Sequence, residues 1–295
     1  MDALAKSPLL PLKAVLHTTD FSPASDNAGR YASLLARQCN AELLIVHTFM
    51  LTQAALELEA GSSIKSTQRK DLEAALAEAA KQLEFHGKPA LPVLAEGEPY
   101  EQIPRLARSH APAIIVLGTQ ARSRLDRGIV GSAAERILRS TESPALTVGP
   151  NVPLLETQSN PIRRILYATI LSPAFARTAG FAAGMAKALD AKLEVLHVVP
   201  TEDASDPARL GAAQQRLADA IAGLPAAQAQ VVDQPAGIVE AGSAHERILE
   251  HIRAAHIDLL VITLHKSTPF WLESRLSGAF YIAANAACPV ITIAG

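Results

Sequence analysis

Short apolar runs alternate along the chain with longer stretches in which apolar residues return every three to four positions. Runs of the first kind predict buried strands, stretches of the second kind predict amphipathic helices, and their alternation predicts βαβ units on a parallel sheet. In the first half, strands are expected near 13–19, 42–48, 90–95, 113–117 and 145–148, and helices near 23–39, 66–86, 99–110 and 132–140. Ser22 is placed to cap the first helix, with Pro23 in its first turn where the missing N–H costs nothing. Ser172 and Pro173 repeat that device, and Gly97 and Gly242 each mark the turn from third strand to third helix.

The whole pattern occurs twice. KAVLHTTDFSPASDNAGRYASLLARQCNAELLIVHTF, from Lys13, matches RRILYATILSPAFARTAGFAAGMAKALDAKLEVLHVV, from Arg163, at a constant offset that sets Pro23 on Pro173 and His47 on His197. Further on, GEPYEQIPRLARSHAPAIIVLG aligns with GSAHERILEHIRAAHIDLLVIT, and SPALTV with CPVITI, at an offset of 145. A period of that length belongs to a duplicated domain and not to a solenoid. The expected organisation is two tandem doubly wound α/β domains, 1–150 and 160–295, each on a five-stranded parallel sheet, joined by the polar, proline-bearing segment at 149–161. In such a sheet ligands bind beyond the carboxyl ends of the strands, where the winding direction reverses.

Composition narrows the classes. With 295 residues, 49% apolar and 19% charged, the chain can fill two ordinary cores. Its net charge is −2, split as 16 basic and 16 acidic residues up to position 150 and 11 and 13 after it. Neither half has the positive field that nucleic-acid binding requires. Cys39 and Cys288 have no partner at metal-ligand spacing, which points to a reduced, cytoplasmic setting and no metal site. The first residues, MDALAKSPLLPLKAVLH, hold two prolines and no small-residue cleavage site, and no apolar run reaches the roughly 20 residues of a membrane span. His245, His251, His256 and His265 are expected at solvated helix positions, whereas the recurrence of His47 and His197 argues for packing or for holding backbone near the pocket.

Two features could carry chemistry. Asp20 ends the first strand, and because Ser22 and Pro23 already account for the helix start, its carboxylate is left to face the crevice; the plain alternative is a second capping or turn carboxylate. The stretch GTQARSRLDRGIVGS, from Gly118, follows the fourth strand and lies across the same crevice. It closes on Ser132 and Glu135 at the spacing of a capping box. A glycine ahead of a helix lets backbone N–H groups approach an anion, with Arg122, Arg124 and Arg127 to reinforce the field; the alternative is a simple cap beside solvated arginines. Neither GxxxxGK[ST] nor GxGxxG after the first strand is present.

These residues resemble the universal stress proteins, here two copies in one chain. Nucleotide-binding members of that family carry G-x2-G-x9-G-[ST] after the fourth strand, matched by Gly118, Ala121, Gly131 and Ser132, and an aspartate after the first, matched in Thr18-Thr19-Asp20-Phe21-Ser22. The resemblance implies ATP, with or without Mg2+. Adenine and ribose would lie at Thr18, Thr19, Asp20 and Thr48, and the phosphates at Leu117, Gly118, Ala121, Gly131, Ser132 and Ala133. Ala121 departs from the motif glycine, at a cost of about 1 kcal/mol if that position needs positive φ. The second copy departs further: Ile170 stands at the place of Asp20, and Thr263, Lys266 and Leu276 stand for Gly118, Ala121 and Gly131, so no nucleotide is expected there. Phe270 and Trp271 in its loop are either partner anchors or folded back on their own domain. The resemblance also implies antiparallel pairing of the two last strands into an internal pseudo-dimer, and a homo-oligomer made of two such chains. Three functions follow: a stress-response protein that signals by binding an adenine nucleotide at one site, a nucleotide-independent interaction protein with an unidentified protein partner, or a slow ATP hydrolase. With no catalytic constellation in view, the reading is not that of an enzyme.

Overall fold

A computed structural model of the chain describes residues 9–50, 61–83, 87, 89–119, 132–156, 162–233, 237–264 and 278–295. The first repeat runs β1 (Ala14–Thr18), α1 (Pro23–Cys39), β2 (Glu42–Phe49), α2 (Gly61–Gln82), β3 (Leu91–Glu96), α3 (Pro99–Ser109), β4 (Ala113–Gly118), α4 (Ser132–Ser140) and β5 (Ala145–Val148). The second runs β6 (Arg164–Thr169), α5 (Phe175–Leu189), β7 (Lys192–Val199), α6 (Pro207–Ala222), β8 (Ile238–Ala241), α7 (Ala244–Ala254), β9 (Leu259–Leu264), α8 (Gly278–Asn285) and β10 (Val290–Ala294). Every strand expected in the first repeat forms within a residue of its place. The second helix starts earlier and ends earlier than the 66–86 expected from its pattern, at Gly61 and Gln82.

The strands make one sheet in the order β3-β2-β1-β4-β5-β10-β9-β6-β7-β8. Within each repeat all neighbours are parallel, and the two repeats meet at the antiparallel pair β5–β10, with Leu146 opposite Ile291 and Thr147 opposite Val290. The buried Thr292 hydroxyl donates to the Ala145 carbonyl across that seam at 3.3 Å. One apolar layer on each face of the sheet runs through both repeats: Tyr31, Leu35, Phe175 and Phe181 belong to the same core on one face, and Ile103, Leu138, Ile248 and Phe280 to that on the other. The connecting segment is tied down as well. The Asn27 amide and the Tyr31 hydroxyl both donate to Pro153 O at 3.3 Å, and Arg30 reaches Leu155 O at 3.1 Å.

Helix α1 begins as its sequence predicts. The Ser22 hydroxyl accepts from the Ser25 N–H, Pro23 occupies the first turn, and Asn40 closes the helix in the left-handed region. The copy does not repeat this start. Helix α5 begins only at Phe175, and the Ser172 hydroxyl accepts from the Ala174 N–H instead. Two differences explain the shift. In the first repeat the Asp20 carboxylate accepts from the Ser22 N–H at 3.0 Å and so sets up the cap, whereas Ile170 has no acceptor to offer. In addition, a Cβ on Gly118 would stand 2.4 Å from Ala24 O, so the first turn of α1 sits directly on the end of β4. At the matching place in the copy Thr263 carries a side chain, and its hydroxyl contacts that of Thr178 in α5 at 3.4 Å.

His17 and Tyr167 fill matching positions in β1 and β6, both buried. The Tyr167 hydroxyl donates to Thr169 Oγ1 at 3.2 Å, but His17 Nδ1 finds no partner among the described residues. Burial pushes His17 down to about 4, against a smaller opposing pull from the Asp20 charge. The unfolded chain takes up this proton near pH 6.5 and the folded chain does not. Stability from this site is therefore whole above pH 6.5 and drains away as the pH falls toward 4.

Two outcomes are expected. Between pH 7.5 and pH 5 the wild type should lose about 2 kcal/mol more stability than His17→Leu, read by denaturant unfolding. Gly118→Ala, whose methyl meets backbone that cannot rotate away, should cost about 1–3 kcal/mol in the same assay.

Candidate functional site

The winding direction of the first repeat reverses between β1 and β4, which pair with Thr18 opposite Leu117. Chain turns at the carboxyl ends of these strands, and of β2 beside them, bring Thr19, Asp20, Thr48 and Thr119 to one crevice. Leu117 is buried in β4 at its floor. The Thr18 hydroxyl donates to Val116 O at 3.2 Å, tying the two strand ends together. Thr19 Oγ1 accepts from the Phe21 N–H at 2.9 Å and lies 3.0 Å from Ser25 Oγ, so it shapes the turn into α1. Phe21 there adopts φ 59°, as Leu171 does with φ 55° in the copy, so the tight turn survives duplication.

Asp20 is exposed at the mouth, and its role is more structural than its position in the sequence suggests: one carboxylate oxygen is held by the Ser22 N–H. Partial desolvation pushes its carboxyl up, but hydrogen bonds from Ser22 and Ser25 outweigh that and hold it below the usual carboxylate range. An anionic hydrogen-bond acceptor therefore stands at the mouth at neutral pH. Beside it His47 Nδ1–H donates to Thr19 O at 2.8 Å, and the His47 ring packs on Phe21 with centroids 4.6 Å apart. His197 makes the same bond to Thr169 O at 2.9 Å. Both recurring histidines thus hold backbone at the crevice, one of the two roles their recurrence suggested.

Across the crevice, Ser132 and Ala133 are exposed at the start of α4. Glu135 does not complete a capping box; its carboxylate takes Arg139 at 3.1 Å one turn on, because an i,i+4 cation is available. Ala121, Gly131, Arg122, Arg124 and Arg127 lie outside the described residues, as do Lys266, Phe270, Trp271, Leu276 and Ser277 of the copy. Thr119 was not anticipated. It is buried, follows Gly118 directly, and its hydroxyl has no partner among the described residues. A buried orphan hydroxyl costs free energy unless something else satisfies it. The only hint in the sequence was a polar residue just past an apolar strand.

In the second repeat the same positions hold Ala168, Thr169, Ile170, Val198 and Thr263. Of the histidines expected at solvated helix positions, His265 lies outside the described residues, His256 is exposed in the turn after α7, and His245 is half-buried on α7. His251 is not solvated: its Nδ1 lies 2.8 Å from Glu240 Oε1 and its Nε2 3.1 Å from Glu194 Oε2. Glu194, nearly buried, also takes the Arg164 guanidinium, 3.0 Å from its Nε. Arg164, Glu194, His251 and Glu240 thus link β6, β7, β8 and α7 on the face away from α5 and α6. Among the described residues no group of three or more His, Cys, Asp or Glu could hold a metal ion, and no helix is long and apolar enough to cross a membrane.

Comparison with known proteins bears on the family and the fold. Universal stress protein MJ0531 of Methanocaldococcus jannaschii is 27% identical over 138 residues, 46% of this chain and 81% of its own length. Universal stress protein MJ0577 of the same organism is 22% identical over 152 residues, 46% of this chain and 94% of its own. The crystal structure of a universal stress protein from Archaeoglobus fulgidus superposes with a TM-score of 0.72 at 19% identity, covering 95% of this chain and 98% of that one. The model of the universal stress protein family matches twice, at residues 11–149 and 161–294. The chain, taken over both of its repeats, belongs to the universal stress protein family.

Proposed function

We propose that this protein is a stress-response protein that binds one adenine nucleotide per chain, in the crevice of the first repeat, and acts through that binding. The observation that carries the reading is the presence, at the β1–β4 reversal, of an exposed carboxylate and a buried hydroxyl that has no partner among the described residues. The donor set fits such a ligand. Asp20 would accept from ribose hydroxyls, Thr48 would lie beside the base, and the Thr119 hydroxyl would gain the partner it lacks. Backbone at Gly118, Ser132 and Ala133, at the amino end of α4, would face the phosphates, since helix N-termini favour anions. The parts assigned to Ala121 and Gly131 rest on the motif alone. A bound nucleotide supplies a polyanion whose presence or absence the crevice reports; the residues of this chain bind and orient it. The corresponding crevice of the second repeat offers neither the carboxylate nor the small residue at the end of β4, which supports a single site.

One observation favours a second reading, an interaction protein that needs no nucleotide: Asp20 already has a structural task in holding the Ser22 N–H.

Calorimetric titration with ATP, with and without magnesium, separates the two. One nucleotide per chain is expected, with Asp20→Ala weakening binding at least tenfold, or about 1.4 kcal/mol. Thr119→Val should weaken it by a smaller factor. Two nucleotides per chain would refute the single site, and no heat at millimolar ATP would leave only the interaction protein.

A further inference from the structure

The crevice of the second repeat has not closed up. Beyond the ends of β6, β7 and β9, between them and helices α7 and α8, a pocket of about 190 Å³ remains. Its lining corresponds position by position to residues of the first repeat, and three positions that are polar there are apolar here. Ala168 stands for Thr18, Ile170 for Asp20 and Val198 for Thr48. Gly118 has gone the other way, to Thr263, but that hydroxyl is bonded to Thr178. Ile248, Ile262 and Ile282 complete the wall.

The polar groups that remain in the lining are already engaged within the protein. Thr169 Oγ1 accepts from both the Tyr167 hydroxyl and the Leu171 N–H, and Thr263 Oγ1 bonds Thr178. The His245 ring lies edge-on to Tyr281 at 5.1 Å and contacts the Ser243 hydroxyl. The surface offered to a visitor is therefore hydrocarbon. At its mouth Ile170 is 62% exposed, a large apolar side chain left in water beside an apolar hollow. Such a hollow leaves hydrocarbon facing water, and an apolar molecule of matching size removes that surface from water.

We infer that the second repeat is a binding site for a small uncharged apolar molecule. An apolar cavity of about 150 Å³ accepts benzene, so this one takes an aryl ring or an alkyl chain of about six to eight carbons. The inference does not rest on nucleotide binding by the first repeat. Because strands of the two repeats point in opposite directions across β5–β10, the two crevices open on opposite edges of the sheet and fill independently.

Protein labelled with carbon-13 at the isoleucine δ1 methyls tests this directly, with toluene and 1-hexanol as separate probes. Saturable shifts are expected at Ile170, Ile248, Ile262 and Ile282, with the first-repeat methyls of Ile103, Ile115 and Ile137 unmoved. Ile170→Asp, at an exposed position that tolerates charge, should weaken toluene binding at least tenfold with the remaining methyl spectrum preserved. Ala168→Leu, which fills the hollow, should do the same without adding charge. Shifts that grow linearly without saturating, or that spread equally over both repeats, would overturn the inference. So would displacement of the same four methyls by ATP. Failure of ATP to bind the first repeat leaves these readouts untouched, so the two proposals stand or fall separately.

Discussion

The antiparallel pairing of β5 with β10 is the contact on which the rest of this structure depends. Each repeat alone would end its parallel sheet in a short β-branched strand with unpaired backbone groups, a template for adventitious pairing. Joining the two edges satisfies those groups and removes both liabilities at once. It also merges the apolar layers on the two faces of the sheet, so that residues of α1 and α5 belong to one core. Pro153 and Leu155 of the segment between the repeats are held against α1 through Asn27, Arg30 and Tyr31. Opposite strand directions across the seam also put the carboxyl ends of the strands of the two repeats at opposite ends of the sheet.

Within that frame, duplication has been followed by substitution at a few positions with disproportionate effect. Asp20 against Ile170 changes both the charge at the crevice mouth and the hydrogen bond that prepares the next helix cap. Gly118 against Thr263 changes how closely the helix can approach the strand. The two changes agree: a helix that begins later leaves room for the threonine, and a crevice without its carboxylate gains an apolar wall. By contrast, the pairs His47 and His197, Phe21 and Leu171, and Asn40 and Asp190 keep the same backbone task in both copies.

Buried polar groups mark where each repeat stores its sensitivity. His17 is neutral in the fold because burial penalises its charged form, and its Nδ1 has no partner among the described residues. In the second repeat the ionic groups gather instead on the far side of the sheet, where Arg164, Glu194, His251 and Glu240 satisfy one another. Such clusters are destabilising when one member is removed, because the remaining charge stays buried.

Strand positions, the first helix with its serine cap, the duplication and the reversal at the strand ends were legible in the sequence, because period and capping are local and the period occurs in both repeats. The roles of individual polar residues were not. Asp20 reads as a free carboxylate until the turn brings the Ser22 N–H to it, Glu135 reads as a cap until Arg139 competes, and His251 reads as solvated until strands 57 and 11 residues away supply Glu194 and Glu240. Gly118 reads as a residue kept small for a ligand, whereas the chain itself, at Ala24, needs the space. The second crevice reads as a site lost, although its substitutions leave a hollow with a chemistry of its own. Sequence by itself determined which segments are strands and helices and that they come in two copies, since those depend on neighbours along the chain. Tertiary structure alone decided which polar groups remain available in each crevice, since that depends on partners that only folding brings within 3 Å.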